Sequence, residues 1–124
     1  MRPQNDERGL TESVQHAVLF PLLMLVTLGI IQTGIWLHGH HVAERAATAG
    51  ADLARGRLGS VTDARATAGR LAAAGGLEDV TVRVRRAGGV VEVEVSGRAP
   101  LILDLGLSRI SERASAPVEK ATRP

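Results

Sequence analysis

Histidine is the side chain in this sequence best suited to chemistry, and three of its four copies cluster at His38, His40 and His41, with His16 apart. His38 and His41 stand three apart and share one face of a helix, a spacing compatible with a metal ion. No carboxylate flanks them until Glu44, and a third ligand at fixed spacing is missing, so the expectation is no metal site. Such histidines commonly just solvate a helix end. The chain has no cysteine, which excludes a disulfide scaffold, a Cys-ligated metal and a thiolate nucleophile. Beyond His41 there is no His, Cys or Tyr, and the only lysine, Lys120, lies in the tail, so a Ser–Lys arrangement has a single candidate base. No phosphate loop, HExxH or GxSxG motif occurs. This inventory predicts a protein that is not an enzyme and has no cofactor. Fifteen basic and 13 acidic residues are interspersed, the net charge is +2, and aromatic residues make up 2% of the chain. Clustered cations and stacking aromatics are both lacking, so nucleic acid is not an expected partner.

The elements that must position these residues begin with an apolar run. From Ser13 to Ala43 there is no Asp, Glu, Lys or Arg, and Ala17 to Leu37 reads AVLFPLLMLVTLGIIQTGIWL. At about 1.5 Å per residue this stretch spans roughly 30 Å, the thickness of a bilayer's hydrocarbon core. Trp36 and His38 fall where an interfacial belt belongs. Thr27 and Thr33 can bond back to their own helix, whereas Gln32 is an intramembrane polar group that wants a partner. The run is longer than the apolar core of a cleaved secretory signal and lacks a small-residue cleavage site behind Leu37. Membrane lipid is therefore an expected partner. The predicted organisation is a leader-like cytoplasmic stub at 1–12, a transmembrane helix at 13–38, a water-facing extension of that helix at 39–58, and a small extracytoplasmic α+β domain at 59–124. Arg2 and Arg8 before the span and Arg45, Arg55 and Arg57 after it balance each other. The N-inside, C-outside orientation rests instead on the ease of retaining a short stub.

Past the span, Val42, Ala46, Ala49 and Leu53 recur at helical spacing. Ala46, Gly50 and Ala54 form a ladder of small residues that lets another helix approach closely. Gly56 and Gly59 punctuate the end. Ser60 caps a second helix, with Asp63 at its third position and an apolar stripe of Val61, Ala64, Ala68, Leu71 and Ala72; Gly75 and Gly76 stop it. Two period-two segments follow, TVRVRR at Thr81 to Arg86 and VVEVEVS at Val90 to Ser96. Gly88-Gly89 between them suits a turn with positive φ at both positions. That register sets Val84 opposite Val93, Val82 opposite Val95, Arg85 opposite Glu92 and Arg83 opposite Glu94. Pro100 to Leu107, PLILDLGL, reads as a strand or as a loop lying on the core or the membrane surface. Ile110, Ala114, Ala116 and Val118 suggest a third strand, interrupted by Glu112 and confined to a sheet edge by Pro117. The fold class is α+β: a long N-terminal helix, a second short helix and a small antiparallel sheet with a β-hairpin.

The run Glu7-Arg8-Gly9, then Val14-Gln15 and Leu19-Phe20-Pro21-Leu22-Leu23, together with the alanine-rich helix at Ala43 to Ala54 and the late valine hairpin, resembles the TadE-like family. The resemblance implies a minor pilin or pseudopilin of the tight-adherence, Flp-type pilus machinery, with a pilin-like plan and with other pilins or pilus-assembly proteins as partners. It also implies a prepilin peptidase site, with Gly9 before the cut and Leu10 as the new N-terminus. Gln15 stands where pilin-like segments carry a Glu; it can hydrogen-bond but cannot form an ion pair. A cut subunit and an uncut component of the assembly machine are both open. The other readings are a membrane-anchored interaction subunit of another envelope or secretion complex and, last, an anchored enzyme.

Overall fold

A computed structural model describes residues 3–56 and 60–118, without the side chains of 3–8 and of Leu10. Arg2, Arg57, Gly59 and Lys120, and the side chains of Glu7, Arg8 and Leu10, lie outside the described residues. The element order is α1 (Pro3–Arg55), α2 (Val61–Ala74), β1 (Glu78–Ala87), β2 (Val90–Arg98) and β3 (Arg109–Pro117). The chain forms two compact units, Met1–Thr33 and Gly34–Pro124.

The described residues of the first unit are all helical. Its large apolar side chains, Leu19, Phe20, Leu22, Leu23, Met24, Leu25 and Val26 among them, are exposed, with Leu28 half-buried. The helical segment Thr11–Arg55 contains a window apolar and long enough to cross a membrane, with none of that window buried. Thr27 Oγ1 donates to Leu23 O and Thr33 Oγ1 to Gly29 O, each at 2.8 Å, so both hydroxyls are satisfied within the helix.

The second unit is an antiparallel sheet of order β1-β2-β3 covered on one face by helices. The hairpin adopts the register read from the alternation: Val84↔Val93, Val82↔Val95, Arg85↔Glu92 and Arg83↔Glu94. Gly88 and Gly89 both take positive φ, +60° and +76°, a backbone that costs other residues about 1–2 kcal/mol each. Val91, Val93 and Val95 of β2 face inward and are fully buried, while Glu92 and Glu94 face outward. On that outer face Arg113 Nε donates to Glu94 Oε2 at 2.8 Å, and Arg113 lies 3.9 Å from Glu92. Helix α2 starts at Ser60, whose Oγ accepts from the Asp63 N–H at 3.4 Å, and stops at Gly75, whose N–H reaches Leu71 O. The third strand forms as an edge with Pro117 in its last position.

Two stripes are narrower than the sequence pattern implied. In α2, Ala64, Ala68 and Ala72 are buried, but Leu71 is 45% exposed. In α1 the buried face is Ala43, Ala46, Ala47, Ala51 and Ala54, while Leu53 is 44% exposed. The reason is backbone proximity. Where helices and sheet approach this closely, alanine fits beneath them and leucine is pushed to the flank.

Candidate functional site

The second half of α1 is a seat of small residues on which the chain's own sheet and α2 rest. An added Cβ at Gly39 would come 2.5 Å from Ile110 Cδ1 and 3.4 Å from the Ala99 Cβ, so β3 and the end of β2 rest directly on the helix backbone there. An added Cβ at Gly50 would lie 3.2 Å from the Ala68 Cβ and 3.2 Å from Val93 Cγ1, placing Gly50 where α1, α2 and β2 meet. The ladder Ala46, Gly50 and Ala54 is thus buried by the chain's own α2 and sheet. At the end of α1, Arg86 from β1 donates to the Ala54 carbonyl, one of the acceptors a helix leaves open at its C-terminus.

The histidines divide by partner. His38 Nε2 donates to the Gly75 carbonyl at 3.2 Å, joining α1 to the end of α2. His40 Nδ1 donates to Glu112 Oε1 at 2.6 Å, and its ring meets that of Trp36 edge-on with centroids 4.3 Å apart. His41 is exposed. The pair His38 and His41, which share a spacing, is therefore not drawn together around a common point; His38 is committed to a backbone acceptor. Sequence reasoning missed the His40–Glu112 pair. By its place in the sequence Glu112 interrupts the inward face of β3, and it does lie on that face, with Val95 as its cross-strand partner. The signal that could have found it was a carboxylate on an inward position together with a histidine on the helix that covers it, since a part-buried charge needs a partner.

The loop between β2 and β3 is the other feature with a defined geometry. The Ala99 N–H donates to Ser108 O at 2.7 Å and closes its base, and Leu101 packs against the core. Asp104 accepts from the Gly106 N–H at 2.9 Å and from Ser108 Oγ at 3.0 Å. These bonds, the Gly106 N–H first and Ser108 next, hold the Asp104 carboxyl below its ordinary range. The Ser108 hydroxyl is thereby tied to the Asp104 carboxylate within the loop. Around this frame Ile102, Leu103, Leu105 and Leu107 are exposed.

Gly9 lies in α1 with open space around its Cα. Four residues before Gln15's neighbour His16, Glu12 offers its carbonyl to His16 Nδ1 at 2.8 Å. Gln32 is half-buried within the first unit and has an interaction of its own.

No curated protein and no solved structure matches the chain. A family model described as TadE-like protein matches residues 13–52, a stretch that begins beyond Gly9 and Leu10 and takes in both the apolar run and most of the small-residue seat. An apolar helix able to anchor the chain in a membrane by a single pass, continuing into a helix that seats an α+β domain, is in this protein the segment similar to the TadE-like family.

Proposed function

We propose that the protein is a non-catalytic minor pilin or pilus-assembly component of the TadE-like type. It is held in the cell membrane by one span, with its N-terminus cytoplasmic and its α+β domain outside. The observation that carries this reading is where the family match falls. Residues 13–52 cover the apolar run and the Gly39-to-Ala51 stretch that packs under the sheet, which is the pilin-like arrangement of one helix serving lipid and domain in turn. Its partners are other pilins and pilus-assembly proteins. They meet surfaces of α1 that its own domain leaves open, such as the side bearing Arg45, Thr48 and Asp52, all exposed. A prepilin peptidase acting after Gly9 would release Leu10 as the mature terminus; without cutting, the protein stays as an anchored component of the machine.

A photocrosslinker at Thr48 in the native membrane tests the assignment. Adducts with pilus subunits or the pilus motor support it, whereas adducts with a different envelope or secretion complex favour the interaction-subunit reading and sink this one. Protease added to intact spheroplasts should remove the domain beyond His41; a protected domain reverses the orientation. Intact mass then separates a chain starting at Leu10 from one starting at Met1.

A further inference from the structure

We propose that the loop Ala99 to Ser108 is a second membrane contact, a shallow apolar foot that lies on the surface of the bilayer crossed by α1. The first observation is what the loop displays. Ile102, Leu103, Leu105 and Leu107 are between 49% and 75% exposed, a concentration of large apolar side chains absent from the remainder of the sheet's loops among the described residues. The second is that this display is built and ordered. The base is closed by the Ala99–Ser108 bond, Leu101 is held by the core, and Asp104 ties Gly106 and Ser108 together, which fixes the course of the loop's backbone. An ordered apolar patch of this kind marks a contact surface.

The third observation selects lipid as the occupant. The sheet end from which the loop springs rests on Gly39, through Ile110 and Ala99, two residues after the apolar run ends at Leu37. Ile35, inside that run, packs against the same core, and Trp36, a residue favoured at membrane interfaces, packs on His40 beside it. Within the second unit the loop is therefore rooted beside the last residues of the apolar run, and a bilayer that surrounds that run is the apolar phase nearest to its root. Depth is set by the polar frame. The Asp104 carboxylate and the loop's backbone groups keep it at the headgroup boundary, because unsatisfied backbone groups and a charge do not enter hydrocarbon. Arg98 and Arg109 stand opposite each other at its two ends, and both are exposed. Arg98 reaches Glu78 at 3.3 Å and Asp79 at 3.1 Å, which braces the foot from the sheet side.

This inference rests on the membrane-anchor reading, and its test keeps the two apart. The full chain is reconstituted in nanodiscs of phosphatidylcholine and phosphatidylglycerol in two single-tryptophan forms: the native chain with Trp36, and the double variant Trp36→Phe, Leu105→Trp. Position 105 is exposed, so the substitution leaves the fold intact. The expected result is that both indoles emit blue-shifted and both are quenched by lipid brominated near the headgroup. Quenching of Trp36 with water-like, unquenched emission from the variant overturns the foot and leaves the anchor standing. Loss of quenching in both overturns the anchor and the foot together. A blue shift at position 105 that follows protein-to-lipid ratio without bromolipid quenching assigns the patch to contact between copies and also overturns the proposal.

Discussion

The two stretches of α1 are dressed in opposite ways. Between Val14 and Thr33, leucine, valine, methionine and phenylalanine surround the helix and, apart from the half-buried Leu28, remain exposed within the protein. Between Gly39 and Ala54 the buried positions are alanine and glycine, and the sheet and α2 press onto the backbone. Lipid is a fluid partner that rewards apolar area in any shape, whereas a protein partner must interlock with what it covers. Side-chain size along one helix thus reports which partner each stretch serves, and the two stretches should answer very differently to the same change.

The largest effect is expected where the small-residue stretch meets its sheet. Val93→Asp places a charge at a fully buried position beside Gly50 and should cost on the order of 4 kcal/mol, unfolding the second unit. Loss of the strand signal in circular dichroism would register it; a folded variant would show that β2 does not face α1. Next comes the direct contrast. Gly50→Leu forces a side chain into Ala68 and Val93 and should lose about 1–3 kcal/mol. Gly29→Leu, where an added Cβ meets nothing within 4 Å, should leave the thermal midpoint unchanged. Equal damage from the two glycines would abolish the distinction between the stretches. Glu112→Ala removes the partner of His40 and should cost about 1–2 kcal/mol in the denaturant midpoint, with Glu112→Gln costing less because it keeps an acceptor. Arg85→Glu, on the solvent face opposite Glu92, should cost no more than about 1 kcal/mol.

The smallest effect concerns acid. Asp104 is depressed by its bonds to Gly106 and Ser108, so the carboxylate contributes order to its loop above the ordinary value of 3.8. That contribution is lost as the pH falls through the lowered folded-state value. The protection of the Gly106 amide, taken relative to the intrinsic exchange rate at each pH, should fall there, and Asp104→Asn should weaken the dependence; protection flat across that window would show that the carboxylate does not hold the loop.

Much of this was legible because each signal was local. Alternating valines, flanking charges and a Gly-Gly turn all specify one hairpin register, and the structure adopts it. Ser60 and Asp63 marked the start of α2 for the same reason. What was not legible depends on distance between elements. Leu53 and Leu71 look like core residues by periodicity, yet they are exposed because neighbouring backbones come too close to admit them. The PLILDLGL segment, left open between strand and loop by its residues, is a loop in which Asp104 accepts from Gly106 and Ser108. The partnership of His40 with Glu112 spans 72 positions, and no spacing rule reaches that far.

That partnership has a consequence for how β3 finds its place. The strand reads RISERASAP, and its small residues at 114 and 116 are alike, so a slide of two positions along β2 would still present alanine inward. Two inward residues set the observed alignment apart from its neighbours, Ile110 seated on Gly39 and Glu112. Displaced by two, Glu112 would leave its place opposite Val95 and lose His40, stranding a carboxylate on the helix-covered face. The histidine of the helix acts as an index pin, and the last strand of the sheet clicks into a single notch.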